Sequence, residues 1–126
     1  MNDIVKQCLA MSRENREHLI VILKESLKDK PESKHRFNHL LECATMIVGD
    51  GILSDSRTIH CVIGRQMIAY QMHIEGYGWS EIGRLMGRNH ATIINLARRI
   101  QGAFRYPDYF RMENALWKEF QRLIKQ

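Results

Sequence analysis

The stretch Trp79–Ile100, WSEIGRLMGRNHATIINLARRI, decides how the rest of the chain is read. It divides into two helical halves at Gly87-Arg88-Asn89. In the first half Ile82 and Met86 share a face, with small Gly83 beside them where a second helix can cross closely. In the second half Ile93, Leu96, Ala97 and Ile100 recur at helical spacing and are expected to face inward. That leaves His90, Ala91, Ile94, Asn95 and Arg98 looking outward. A short helix, a glycine turn and a longer helix with a polar and basic outer face predict a helix-turn-helix. In that motif the N-terminal residues of the second helix reach base edges in the DNA major groove. An ordinary helical hairpin with a solvated outer face has the same spacing, so the neighbouring sequence must separate the two.

Charge is the first neighbour to consult. The chain has 126 residues, 44% of them hydrophobic, which suits one domain with or without an appendage. Its net charge of +5 is unevenly spread. Residues 1–56 hold eight Lys/Arg against nine Asp/Glu, whereas residues 57–126 hold eleven against five. The basic half contains the predicted motif, and duplex DNA presents about one negative charge per 1.7 Å of axis. Three cysteines without a CxxC pairing, no signal peptide and no long apolar run predict a cytoplasmic protein that does not enter a membrane.

Upstream, residues 1–30 read as an N-terminal helical extension, one short helix and one longer. Its apolar run Leu19–Leu23, LIVIL, suits either packing on the downstream domain or a homodimer or protein-partner contact. Lys28–Lys34, KDKPESK, reads as a charged connector, with a second domain over 34–126. Phe37, Leu40, Leu41, Ala44, Ile47 and Val48 then form a helical stripe that Gly49-Asp50-Gly51 ends. On the same helix His35, His39 and Cys43 fall at metal-ligand spacing. A structural zinc site needs a fourth ligand and none is near, so no metal is expected. Asp55–Cys61 reads as irregular, with Arg57 close to the next helix. That helix is predicted from Ile63 to about Glu75 on the stripe Ile63, Met67, Tyr70, Ile74, with Arg65 and Gln66 in its first turns. Gly76-Tyr77-Gly78 breaks it, and Asn89 is placed to cap the helix that follows. The latter is expected to run to Phe104 and stop before Pro107. A last helix carries Phe110, Leu116, Trp117, Phe120, Leu123 and Ile124 on one face, too regularly spaced for a base-stacking platform. No strand-like alternation occurs, and the predicted fold is all-α.

Enzyme signatures are missing. No glycine is followed by lysine, so there is no P-loop. No paired carboxylates suggest a two-metal site, and no nucleophile motif is recognisable. The residues read as a binding module without a cofactor.

The longer segment Gly64–Ile100, GRQMIAYQMHIEGYGWSEIGRLMGRNHATIINLARRI, resembles the C-terminal DNA-binding domain of the DnaA family of bacterial replication initiators. Arg-Gln opening a helix, an acidic-Ile-Gly segment and Gly-Arg-Asn-His-x-Thr followed by Ala and Arg-Ile carry the likeness. It extends from about Lys34 to the C-terminus, roughly three-quarters of the chain. The resemblance implies a multi-helix, Trp-repressor-like fold that reads a short duplex site through both grooves. On it, Asn89, His90 and Thr92 contact bases in the major groove, and Arg57 enters the minor groove. Arg65 and Gln66 touch the DNA backbone and neighbouring bases. The chemistry agrees: arginine suits a narrow, electronegative minor groove, asparagine can read adenine, and Arg88 and Arg98 suit phosphates. Ala91 stands where the family has threonine or serine and keeps a methyl for thymine, with Asn95 on the same outer face. Ile63 and Gly64 replace a basic residue and a proline, and the turn has one glycine where the family has two. The family's nucleotide-binding module has no counterpart in these residues. The expected function is sequence-specific double-stranded DNA binding in replication control or transcription. The alternative is a helical interaction module that keeps the fold without the reading.

Overall fold

The computed structural model describes residues 31–126, and the readings placed on 1–30 lie outside them. The described residues form five helices and no strand: α1 (Pro31–Val48), α2 (Ile59–Ile74), α3 (Trp79–Met86), α4 (His90–Phe104) and α5 (Arg111–Ile124). The all-α expectation holds for this part. None of these helices is long and apolar enough to cross a membrane.

The central element is α2, which packs against each of the other four helices and most extensively against α4. Met67, Ile68, Ala69 and Met72 of α2 meet Leu40 and Ala44 of α1, Ile82 of α3, Ile93 and Ile100 of α4 and Phe120 of α5, all essentially inaccessible. A helix enclosed on several sides does not show one apolar stripe, which explains where the predicted stripe fails. Ile63 and Met67 are buried, yet Ile74 is 53% exposed, on the outward side with His73 and Glu75. Around Trp117 the aromatic rings pack edge-on or tilted, with Tyr70 at 5.5 Å and Phe104 at 5.1 Å between centroids. That is interior packing, as the regular spacing predicts.

Two helix starts differ from the sequence reading. The first helix begins at Pro31, so Pro31–Lys34 is its first turn rather than connector. Proline is tolerated there because the first turn needs no N–H partner within the helix. At the second, α2 starts at Ile59, a turn before Ile63. Thr58 caps it by extended backbone alone, without a side-chain hydrogen bond, and Ile59 and His60 are exposed. Periodicity therefore carries no sign of that first turn.

A polar chain ties the outer helices to α2. Arg36 of α1 donates from Nε and Nη2 to both Glu75 oxygens, at 2.7 and 2.8 Å. Gln71 donates to Glu75 at 2.6 Å and accepts from Gln121 of α5 at 2.8 Å. Burial pushes the Glu75 carboxyl up, but the hydrogen bonds from Arg36 and Gln71 together outweigh it and leave it below its ordinary value. A carboxyl depressed in the folded state stabilises above its unfolded pKa, and that increment is lost as pH falls through the folded value. Glu75→Gln is therefore expected to flatten the acid side of the stability profile, converging with the parent below about pH 4. The increment is about 1 kcal/mol or less for a partly exposed pair. Urea unfolding across pH 3–7 measures it, and parallel profiles would refute the assignment.

Candidate nucleic-acid interface

The α3–α4 turn is built by glycine geometry. Gly87 closes α3 in the left-handed region (φ +71°), donating to the Arg84 carbonyl while the Arg88 N–H donates to Gly83 O at 2.8 Å. Gly83 is not where another helix crosses. A Cβ there would lie 2.5 Å from the Arg88 carbonyl oxygen, so it is this turn that comes close. Asn89 then starts α4, its Oδ1 accepting the Thr92 N–H at 2.9 Å, as its residue type predicts. The inward face is Ile93, Ala97 and Ile100, each at most 2% exposed, with Leu96 half-buried. Asn89, His90, Ala91, Thr92, Asn95 and Arg98 are exposed, and Ile94 is half-buried. The first-turn N–H groups of His90 and Ala91 have no intrahelical acceptor, as at any helix start.

Beside α4 runs the loop joining α1 to α2. Ile52, 2% exposed, anchors it in the core. Two arginines hold its backbone. Arg65 of α2 donates from Nη1 to Ile52 O and Ser54 O, both at 2.9 Å, and from Nη2 to Ser56 O. Arg88 of the turn donates from Nη1 to Met86 O at 2.8 Å and from Nη2 to Ser54 O at 2.6 Å. The Ser54 carbonyl thus accepts from both guanidinium groups. Burial, then the adjacent Arg88 charge, lowers the Arg65 pKa from its ordinary value. The next residue after Ser56 is Arg57, which is exposed.

An open groove of about 610 Å³ results, lined by Arg57, Arg65, Arg88, Thr92 and Leu96, with Asp55 its one acid. The structure thus brings the loop arginine and Thr92, in the first turn of α4, to one groove. Arg65 and Gln66, expected to touch the DNA backbone and neighbouring bases, are largely covered. Each is only 7% exposed, and the Arg65 donors are engaged by loop carbonyls because the loop folds over them. Arg88, expected on a phosphate, is half-buried and bonded in the same way. Arg98 alone of the expected phosphate contacts is exposed. Ile63 and Gly64 are core positions: Ile63 is 2% exposed, and a Cβ on Gly64 would meet Val48 and Ile52 side chains at 3.1 Å. A basic side chain at Ile63 would have to leave the interior to reach DNA.

On α1, Cys43 is buried with its Sγ 3.8 Å from His39 Nε2, and His35 is exposed. Among the described residues no three His, Cys, Asp or Glu side chains are grouped to hold a metal ion. Burial raises the Cys43 thiol above its ordinary pKa, which disfavours the thiolate a metal prefers. Compared with protein-family models, curated proteins and solved structures, the chain finds no match.

Proposed function

We propose that this chain binds duplex DNA sequence-specifically, with α3 and α4 as a helix-turn-helix of the DnaA-like kind. One observation carries the reading: exposed Thr92, in the first turn of α4, and exposed Arg57 line the same groove, with Arg65 and Arg88 in its wall. In this reading α4 enters the major groove while Arg57 reaches the adjacent minor groove, where a narrow A·T-rich segment attracts arginine. His90 and Thr92 meet base edges, and the Ala91 and Thr92 methyls suit thymine. Asn89 caps α4 with Oδ1, which leaves its amide group as the donor toward DNA. The free N–H groups at the α4 start and Arg98 serve phosphates. Replication control and transcription are both roles for such a reader, and neither requires catalysis by this chain.

Selection from random duplexes at physiological salt tests the proposal, and an enriched motif is the expected result. Arg57→Ala and His90→Ala should each weaken binding to that motif by roughly 1–3 kcal/mol, the value of one base contact. Affinity should fall steeply with salt, with a log–log slope of about −0.9 per phosphate contact. Unchanged affinity in both variants would refute the site. A second reading, a protein-interaction module, draws on Tyr106 and Tyr109 between α4 and α5, 64% and 83% exposed. Recovery of no motif would favour it.

A further inference from the structure

We infer that Arg88 is a positioning residue that couples the two groove contacts, by locking the loop that carries Arg57 onto the turn that starts α4. The inference rests on the DNA-binding reading above and extends it to a residue whose residue type suggests only a phosphate contact.

The geometry is specific. Arg88 Nη1 donates within its own turn, to Met86 O at 2.8 Å, and more weakly to Leu53 O of the loop at 3.4 Å, while Nη2 donates to Ser54 O of the loop at 2.6 Å. One planar guanidinium therefore bridges the helix pair and the loop, 34 residues apart in sequence. A fork with donors in fixed directions can hold two carbonyls at once, and a single ammonium cannot reproduce that spacing. Ser54 in turn organises the residues leading to Arg57. Its Oγ accepts the Ser56 N–H at 3.1 Å, and the Ser56 Oγ accepts the Thr58 N–H at 3.3 Å. Arg57 lies inside that hydrogen-bonded run, so displacement of Ser54 is passed to it. Arg65 holds the same loop from α2, whereas the Arg88 hydrogen bonds connect it to the turn before α4. The separation between a minor-groove arginine and a major-groove helix fixes which base pairs each can meet. Arg88 sets that separation.

The test compares Arg57→Ala, Arg88→Ala, Arg88→Lys and the Arg57→Ala/Arg88→Ala double variant with the unaltered chain. Duplex selection with Arg88→Ala should recover the positions read by α4 and lose the flanking A·T preference, matching Arg57→Ala. On the parent's best site Arg88→Ala should bind about tenfold more weakly, a loss the size of one base contact. The double variant should fall within about twofold of Arg57→Ala, because the two act through one contact. Arg88→Lys should behave like Arg88→Ala, and it carries the comparison if the alanine variant does not fold. Amide exchange over residues 54–58 of the DNA-free chain should be faster in both Arg88 variants. Full rescue by lysine, or additive losses in the double variant, would make Arg88 a phosphate contact and overturn the inference while leaving DNA reading intact. Unchanged exchange would overturn it independently. No motif from the unaltered chain would remove both proposals together.

Discussion

Gly83→Ala is expected to destabilise the chain by roughly 3 kcal/mol, at the upper end of what overpacking costs. The added Cβ would lie 2.5 Å from the Arg88 carbonyl oxygen, and that atom is backbone, so it cannot step aside as a flexible side chain can. Relief requires the α3–α4 turn to open, which lengthens the 2.8 Å bond from the Arg88 N–H to Gly83 O. Helix propensity works in the opposite direction, since alanine is favoured over glycine by about 1 kcal/mol inside a helix. The clash should outweigh it. Gly102→Ala provides the control. A Cβ there meets nothing within 4 Å, so the same substitution in α4 is expected to be neutral or stabilising by about 0.5–1 kcal/mol. Urea midpoints of the two variants, compared at equal m-value, measure both signs. A Gly83→Ala midpoint at or above the parent's would show that the turn accommodates a methyl, and the close approach would carry no structural weight.

Gly83 also shows which parts of the structure are legible in sequence. Its smallness signals that something comes close, but not that the neighbour is a carbonyl of the following turn. The elements read correctly are those encoded locally. Ile82, Met86, Ile93, Ala97 and Ile100 are inward because their 3.6-residue spacing leaves no other shared face. Asn89 caps α4 because its short side chain reaches an N–H three residues on. Both helix starts that differ have little local signal: Pro31 is compatible with linker and with first turn, and α2 opens with exposed Ile59. The loop is illegible for another reason. Arg88 reads as a phosphate contact on residue type, and Arg65 as a DNA contact through the family resemblance. Whether their donors are available depends on where a glycine-flanked loop folds back, and Arg65 meets carbonyls 9–13 positions earlier in the chain. No periodicity or spacing encodes that meeting.

Arg65→Met should lower stability by about 2–4 kcal/mol, and the sign follows from comparing two opposed effects. Removing a guanidinium that is 7% exposed relieves a desolvation cost, the same burial that lowers its pKa. Against that stand three hydrogen bonds from a charged donor, worth about 1.5–3 kcal/mol each when intact. Ser54 keeps the Arg88 donor, whereas Ile52 loses its Arg65 partner with its side chain fixed in the core. That carbonyl cannot turn to water without withdrawing Ile52, so its loss is felt in full. The hydrogen bonds should win. Urea unfolding gives the magnitude, and amide exchange should place the change in residues 52–58 before it spreads to α2. A shift below about 0.5 kcal/mol would mean that Ile52 and the loop's own hydrogen bonds hold it without the arginine. Arg65→Lys separates charge from shape: it retains the cation but not the fork that meets Ile52 and Ser54 with one nitrogen and Ser56 with the other. If shape is what matters, lysine recovers less than half of the lost stability, and Arg57 remains misplaced in a chain whose helices are still folded.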